Sequence, residues 1–241
     1  MKNLIAAIQF ITIIPLGKHG KFNAEKMIPL FPVVGIVLGL MVALFDKIGL
    51  LLWSKPVASL LDVIFLILIT GAFHVDGLGD TADGLYGGRT KEKALSIMKD
   101  SRIGVMGMVA IMGGLSAKWA GITGLDASRS LLLIIIPSYA RGGILCGIRF
   151  LKYGRTDGGT GKLFFATRLK AIGFSALVIP VFLSIFLGLK AVLLNLAFMM
   201  ITAGVLWFYK KKMDCVTGDM LGAMVEILEA GLFLLASIRL F

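Results

Sequence analysis

The sequence predicts an all-α fold, a polytopic membrane helix bundle of about seven transmembrane helices with an additional N-terminal interfacial helix. Hydrophobic residues make up 58% of the 241 residues and charged residues only 16%, whereas soluble domains carry about 25% charged residues. The mean hydropathy is +0.93, and the apolar stretches are long and continuous, as in spanning helices rather than barrel strands. We therefore expect one integral membrane domain over residues 1–241 and exclude a soluble enzyme and a disordered chain.

Crossing a hydrocarbon core of about 30 Å takes roughly 20 helical residues, and about seven stretches of this sequence are long enough. They cover residues 30–52, 57–73, 103–124, 130–148, 171–188, 190–208 and 220–240. The first is interrupted near its end by Asp46 and Lys47. Residues 1–16 are apolar on one side and lack a small-residue cleavage site, which predicts an interfacial or re-entrant helix rather than a signal peptide.

The 25 lysines and arginines are unevenly distributed between the predicted connections. Most lie in the N-terminal segment and in the stretches that follow the second, fourth and sixth spans. Cytoplasmic loops carry the excess of positive charge, so we expect these segments in the cytoplasm. The net charge of +11 then reflects orientation in the lipid bilayer and not nucleic acid binding, because the charges form no soluble basic face.

The segment Gly71–Arg89 leaves the second predicted span and carries the aspartates Asp76, Asp80 and Asp83. At helical periodicity, this spacing places the three carboxylates within about 60° of one another on one face. Three like charges repel one another beside an apolar span, whereas several carboxylate oxygens suit Mg²⁺ or Mn²⁺. We therefore predict that these aspartates bind a metal ion; the alternative is a solvated acidic turn.

Further polar residues flank this acidic group. Asp100 precedes the third span and could act as a fourth metal ligand or as a general base, while Arg102 and Arg89 could hold phosphate oxygens. The alternative is that Asp100 or Ser101 caps the next helix. His74 could assist the chemistry, although a lone histidine at the end of a span is more often simply hydrogen-bonded.

Glycines in two segments indicate contacts with a ligand. Gly77 and Gly84 leave room for a bulky group to approach the backbone, although they also lower the helix propensity of their segment. The loop Tyr153–Lys162 is rich in glycine, and its backbone N–H groups, Arg155 and Lys162 could bind phosphate. It is not a P-loop, because the Walker spacing is absent.

A second acidic group, Asp219, Glu226 and Glu229, lies at the start of the last predicted span and within it. Ionisable groups inside a membrane are costly, so the two glutamates should face the bundle interior or a cavity. Alternatively, Glu229 forms a structural ion pair with Lys118 or Arg141. Asp219 lies at the same predicted membrane face as the first acidic group, and we expect the two groups to share one cavity.

The blocks G-A-F-H-V-D-G-L-G-D-T-A-D-G at 71–84 and M-K-D-S-R-I-G at 98–104 closely resemble the cobalamin synthase family, also called the adenosylcobinamide-GDP ribazoletransferases. Supporting resemblances at 10–16, 31–39 and 217–226 extend over the whole chain. The resemblance implies a Mg²⁺-dependent enzyme of the cytoplasmic membrane. Such an enzyme joins adenosylcobinamide-GDP to α-ribazole or its 5′-phosphate, releasing GMP and forming adenosylcobalamin or its 5′-phosphate.

Asp80, Asp83, Gly84 and Arg89 also look like the first half of the CDP-alcohol phosphotransferase motif, D-x-x-D-G-x-x-A-R. The arginine falls one residue late, glycine replaces the alanine before it, and the second pair of aspartates is missing. This likeness therefore extends to the metal chemistry and not to that family's catalytic base. Asp100 is the candidate to replace the missing second pair of aspartates.

The resemblance implies that the first acidic group holds Mg²⁺ on the diphosphate while the arginines named above hold its oxygens. The 5′-hydroxyl of α-ribazole is expected to attack phosphorus, and the base remains open between Asp100, Asp219 and His74. A cation-coupled transporter with the acids as ion ligands is the alternative function, but the acids cluster at one face and no repeat is visible. A homo-oligomer is left open.

Overall fold

The computed structural model describes residues 2–17, 23–126, 128–155, 160–166 and 169–238. Within these ranges the chain is helical, with one isolated β-bridge between Tyr153 and Val216 and no strand, so the predicted all-α class is confirmed. The α-helices are α1 (Lys2–Ile11), α2 (Ala24–Met27), α3 (Phe31–Leu52), α4 (Lys55–Ile69), α5 (Phe73–Leu85), α6 (Lys91–Ile97), α7 (Val105–Gly124), α8 (Arg129–Phe150), α9 (Val178–Ser184), α10 (Leu189–Met213) and α11 (Gly218–Ala236). Short 3₁₀ segments lie at Ile28–Leu30, Thr160–Phe165, Ala171–Leu177 and Ile185–Leu187.

The structure supports fewer membrane spans than the sequence predicts. By length and composition, four helical segments of the described chain could cross a membrane: Ala24–Leu52, α7, α8 and α10. Helices α4 and α5 together are long enough to form a fifth, but they bend by 88° where they join. The membrane helix bundle is thus supported with four or five spans, and the predicted count of seven is not confirmed.

Two predicted spans differ from a regular transmembrane helix. Residues 171–188 form a short apolar segment, Ala171–Leu187, in which α9 lies between two 3₁₀ turns. It ends at Gly188, whose φ of 60° interrupts the helical backbone before α10. The predicted span 220–240 corresponds to α11, which carries the three acidic residues Asp219, Glu226 and Glu229 and is not among the described helices that could cross a membrane by length and composition.

The junction between α4 and α5 sets the direction of the acidic helix. Gly71 and Ala72 both have a φ of 59°, which is the left-handed region that ends a right-handed helix. For an alanine this conformation costs roughly 1–2 kcal/mol, so the surrounding structure must hold it in place. The N–H of Ile13 donates a hydrogen bond to the carbonyl of Ile69 at 2.9 Å and ties the segment after α1 to this bend.

Small residues bring α3 and α8 into direct backbone contact. A Cβ atom at Gly35 or Gly39 would overlap the backbone of α8, and the hydroxyl of Ser138 donates a hydrogen bond to the carbonyl of Pro32 at 2.7 Å. Close approach through glycine is typical of helices that pack in lipid. Gly35 and Gly39 therefore allow α3 and α8 to pack closely.

A buried ionic network joins α7, α8 and α11. Lys118 Nζ donates to Glu226 Oε2 and to Glu229 Oε2, each at 2.7 Å, and Arg141 makes a short contact with Glu229 Oε1. All four side chains are buried, and their two positive and two negative charges balance. The alternative reading of Glu229 as part of a structural ion pair is therefore confirmed.

A second buried network lies where α8 begins. Arg129 Nη2 is 2.6 Å from Asp46 Oδ1 and 3.0 Å from Asp62 Oδ2, so it joins α8 to α3 and α4. Asp46, which interrupts the first predicted span, therefore lies inside α3 as a paired charge. Pairing of this kind lets a charged residue sit within an apolar helix.

Candidate active site

Helix α5 carries Asp76, Asp80 and Asp83 in one continuous helix, which is the arrangement that their spacing predicts. Asp76 is exposed, while Asp80 and Asp83 are half-buried. Burial and the nearby carboxylates of Asp76 and Asp219 raise the pKa of Asp80 to about 7. The structure therefore crowds negative charge along this face of α5.

Asp83 also has a structural contact that the sequence does not predict. Its carboxylate accepts a hydrogen bond from the N–H of Gly104 at 2.6 Å and another from the N–H of Gly107 at 2.8 Å. It thus caps the N-terminus of α7 across the fold. The alternative that Asp100 or Ser101 caps this helix is wrong, because the N-cap residue is Gly104. Each oxygen of Asp83 retains a further lone pair for a cation.

Asp219 lies in the first turn of α11, directly against α5. A Cβ atom at Gly77 would lie 2.6 Å from the carbonyl oxygen of Asp219, so the two helices touch through this glycine. The side chain of Met98 occupies the equivalent space at Gly84, with its Cγ 2.6 Å from such a Cβ. Helix packing therefore accounts for both glycines. Neighbouring parts of the chain fill the space at Gly77 and Gly84 in which a ligand was expected.

Arg155 is held beside the acidic group by the segment that leads into α11. The N–H of Val216 donates to the carbonyl of Lys152 at 2.8 Å, and the N–H of Gly154 donates to the carbonyl of Val216 at 2.9 Å. Arg155 Nη2 then contacts Asp219 Oδ2 at 2.5 Å. Burial raises the pKa of Asp219, and the guanidinium of Arg155 opposes this rise. Arg155, which is predicted to bind phosphate, is therefore paired with Asp219, one of the three candidate bases.

Asp100 and Arg102 form an exposed pair with each other. Arg102 Nη2 is 2.6 Å from Asp100 Oδ2, and this contact lowers the pKa of Asp100 to about 2. Such a carboxylate is a weak general base near neutral pH. Asp100 also lines an open cleft of about 1060 Å³ together with Lys99 and Arg155. Lys99 is a further residue of this cleft that is not among the predicted site residues, and its position next to Asp100 in the sequence is the signal for it.

His74 is separated from the acidic face of its helix. Two positions along α5 place it about 200° around the axis from Asp76, and it is only 2% exposed. Its Nδ1 has no hydrogen-bond partner among the described residues. The alternative that His74 is simply hydrogen-bonded therefore does not explain this atom. Direct participation of His74 in chemistry at the acidic face has no geometric support.

The two remaining predicted contacts lie at the edge of this region. Arg89 is exposed, and its Nη1 donates to the carbonyl oxygen of Asp83 at 2.8 Å near the end of α5. Lys162 is exposed in the 3₁₀ segment Thr160–Phe165. Residues 156–159 of the glycine-rich loop lie outside the described residues, so phosphate binding by this loop stays a prediction.

The donor set fits a hard divalent cation in its chemistry. Asp76, Asp80, Asp83 and Asp219 offer only carboxylate oxygens, which Mg²⁺ prefers. The pKa of Asp80 is raised by burial and then by the charges of Asp76 and Asp219, and a cation would oppose this rise. In the described part of the chain, no three Asp, Glu, His or Cys side chains already converge on one point as metal ligands. Binding would therefore require rotation of side chains on this face.

Comparison with known proteins gives the context for this site. The family described as Cobalamin-5-phosphate synthase (CobS) matches residues 3–237 of the chain. The chain belongs to this family. The resemblance seen at 71–84 and 98–104 is thereby confirmed, and the chain is a transferase of cobalamin synthesis.

Relatives named adenosylcobinamide-GDP ribazoletransferase align over nearly their whole length. The protein from Clostridioides difficile (strain 630) is 36% identical over 243 residues, covering 95% of this chain and 94% of the relative. The Chlorobaculum tepidum protein is 30% identical over 248 residues, covering 100% of this chain and 96% of the relative. The protein from Synechococcus elongatus is 33% identical over 238 residues, covering 94% and 92%. No solved structure matches the chain.

Proposed function

We propose that this cobalamin synthase transfers the adenosylcobinamide phosphate group of adenosylcobinamide-GDP to α-ribazole or its 5′-phosphate, with release of GMP. The products are adenosylcobalamin or its 5′-phosphate. The observation that carries the proposal is the crowded acidic face of α5 beside Arg155, in a family whose relatives bear this substrate in their names. Carboxylates for a cation and a guanidinium for phosphate are what transfer of a phosphoryl group requires.

The name of the family bears on which hydroxyl attacks. The family is described as Cobalamin-5-phosphate synthase. Where the acceptor is α-ribazole 5′-phosphate, its 5′-oxygen already carries the phosphate and cannot be the nucleophile. We therefore propose that another ribose hydroxyl attacks, in place of the 5′-hydroxyl expected from the resemblance, and that the site positions the ribose and not the 5′-end.

Asp76, Asp80 and Asp83 would hold Mg²⁺, with Asp219 close enough to contribute. When bound, this cation neutralises negative charge on the diphosphate and on the departing GMP. Asp83 is restrained because two backbone N–H groups of α7 hold its carboxylate. That restraint pre-organises one of the three aspartates at the acidic face.

Arg155 and the open cleft would receive the nucleotide part of the donor. Arg155 reaches Asp219 on one side and lines the cleft with Lys99 on the other, so two cationic side chains border the same space. A guanidinium binds phosphate oxygens in a bidentate manner. Arg155 would then exchange its contact with Asp219 for one with the diphosphate, which frees the Asp219 carboxylate for the acceptor.

Asp219 is the best-placed general base of the three candidates. Asp100 is neutralised by Arg102, and His74 faces away from the acidic group. In the proposed step, the acceptor hydroxyl oxygen bonds to the phosphorus attached to cobinamide, and the bond from that phosphorus to the bridging oxygen of GMP breaks. The hydroxyl proton passes to an Oδ atom of Asp219, and GMP leaves with the bridging oxygen and its electron pair.

The transporter alternative receives little support from the buried acids. Glu226 and Glu229, which could serve as ion ligands within the bundle, are both paired with Lys118, and Glu229 also contacts Arg141. Their charges are therefore already compensated. We further propose that the enzyme lies in the cell membrane with α5 near the cytoplasmic face, because that face carries most of the basic residues.

Product analysis on the purified protein tests this function. The protein in detergent is supplied with adenosylcobinamide-GDP, α-ribazole and Mg²⁺, and mass spectrometry follows GMP and the completed corrinoid. We expect the two products in equal amounts, with the 5′-phosphorylated corrinoid when the acceptor is α-ribazole 5′-phosphate. Hydrolysis of the donor without a new corrinoid product, or no reaction at all, would overturn the proposal.

A further inference from the structure

An apolar pocket lies beside His74, on the side of α5 away from the aspartates. Its inner part has room for only a few water molecules, and the wider space of about 440 Å³ includes the open mouth, so a ring that binds here enters from the mouth and moves the lining side chains apart. Its lining includes Phe10, Phe31, Phe73, His74, Phe164 and Gly218. These residues come from α1, α3, α5, α11 and the 3₁₀ segment Thr160–Phe165, so separate parts of the chain converge on this pocket.

Three of the aromatic rings form a connected wall. The ring centroids of Phe10 and Phe164 are 4.8 Å apart with an interplanar angle of 78°, and those of Phe31 and Phe164 are 5.8 Å apart at the same angle. Phe10 and Phe31 are close to parallel, with centroids 6.2 Å apart. Flat faces and ring edges of this kind favour another aromatic ring over an aliphatic chain.

His74, which lines the same pocket, has a buried polar atom. His74 is 2% exposed, and its Nδ1 has no hydrogen-bond partner among the described residues. A buried nitrogen without a partner is unfavourable, so such atoms usually mark a contact that a ligand or water completes. The pocket therefore combines aromatic surface with a single unsatisfied ring nitrogen.

The pocket is adjacent to the candidate active site. Gly218 lines it, and the next residue, Asp219, lies against α5 at Gly77. A Cβ atom at Gly222 would lie 3.3 Å from the Cα of His74, so the first turns of α11 pass from the pocket to the acidic face. A ligand with a flat ring at one end and a reactive hydroxyl at the other could occupy both regions.

We propose that this pocket binds the heteroaromatic base of the nucleoside acceptor, which rests on the proposed function. A flat, two-ring nitrogen heterocycle stacks against Phe10 and the edge of Phe164, while Phe31, which is 1% exposed, forms the back of this wall. Its ring nitrogen that is not attached to ribose accepts a hydrogen bond from the Nδ1–H tautomer of His74. The ribose then extends past Gly218 toward Asp219. The pocket thus selects the acceptor, while the cleft beside Arg155 binds the donor.

Steady-state kinetics with separate titration of the two substrates test this assignment. In Phe164→Leu we expect the KM for α-ribazole to rise about tenfold, because stacking of a base on an aromatic ring contributes strongly to binding. The KM for adenosylcobinamide-GDP should stay within about twofold. Phe164→Tyr keeps the ring and should restore the KM for α-ribazole. Phe182→Leu is the matched control, because the ring of Phe182 is exposed and does not line this pocket.

Direct binding separates this inference from the reaction itself. Equilibrium dialysis of α-ribazole without the donor should give about tenfold weaker binding for Phe164→Leu and for His74→Phe than for the parent protein. If Phe164→Leu fails to fold, as judged by its unfolding temperature, Phe10→Leu replaces it. Unchanged binding and KM in folded variants would overturn the pocket assignment. Binding that is lost as expected in a protein without transferase activity would retain the pocket and refute the proposed reaction.

Discussion

Asp83 accepts a hydrogen bond from the N–H of Gly104 at 2.6 Å and so joins the acidic helix to the start of α7. The same carboxylate is one of the three proposed to hold Mg²⁺. A residue of the candidate site therefore also stabilises the fold around it. This double role separates Asp83 from Asp76, which is exposed on the same helix.

The first prediction compares these two aspartates. Asp83→Asn should lower the free energy of unfolding by about 1–2 kcal/mol, because an amide offers one acceptor oxygen to two backbone N–H donors. Asp76→Asn should not lower it, because Asp76 is exposed and its charge repels Asp80, while both variants lose turnover. Thermal unfolding in detergent with EDTA measures the difference. Equal unfolding temperatures for both variants would show that the cap on α7 contributes no stability.

The second prediction concerns the pH dependence of stability without metal. The folded-state pKa of Asp80 is raised from 3.8 to about 7, so the folded protein binds the proton more tightly than the unfolded chain. Its contribution to stability therefore falls as pH rises between these two values. Asp80→Asn removes the repulsion and should unfold at a higher temperature than the parent at pH 8, with a smaller difference at pH 5. A variant less stable than the parent at pH 8 in EDTA would contradict this.

The third prediction distinguishes the candidate bases. Asp219→Asn should reduce kcat about a hundredfold or more, in the range of a lost general base. Asp100→Asn should reduce it less than about tenfold, because Asp100 is paired with Arg102 and its pKa of about 2 keeps it ionised and weakly basic. Rates at saturating substrates make the comparison. The reverse order of effects would transfer the role of base to Asp100.

The fourth prediction concerns the buried network. Glu229→Gln leaves Lys118 and Arg141 without one of their shared partners and should cost about 3–5 kcal/mol of stability, with a smaller effect on the rate of the folded fraction. Asp126→Asn removes an exposed ion pair with Lys55 and serves as the control, since such pairs contribute about 0–1 kcal/mol. A Glu229→Gln protein as stable as the control would show that the network is not structural.

Local sequence pattern predicts the parts of the structure that depend on helical periodicity. The spacing of Asp76, Asp80 and Asp83 places them on one helix, because side chains at those intervals share a face wherever a helix forms. The glycines did not break that helix. Gly77 in particular is required for the contact with Asp219, and the favourable packing of α5 against α11 outweighs its low helix propensity.

Contacts between distant segments were less accessible to the sequence. Asp219 is predicted to lie near the first acidic group because both begin or end a span at the same membrane face, and the structure places it against α5. The pairing of Arg155 with Asp219 and the contact of Asp83 with Gly104 depend on how loops are anchored, which the order of spans does not reveal. The count of seven spans is not confirmed, because Ala171–Leu187 consists of short helical segments and α11 carries three acidic residues.

The central claim is that the acidic face of α5 binds the cation required for transfer. Its most direct test is single-turnover release of GMP from adenosylcobinamide-GDP in the presence of α-ribazole, measured across a Mg²⁺ titration. The parent protein and Asp126→Asn should release GMP only with Mg²⁺, and Asp80→Asn should be slower by about a hundredfold or more at every concentration. Equal rates for the parent and Asp80→Asn, or full release by the parent in EDTA, would contradict the claim.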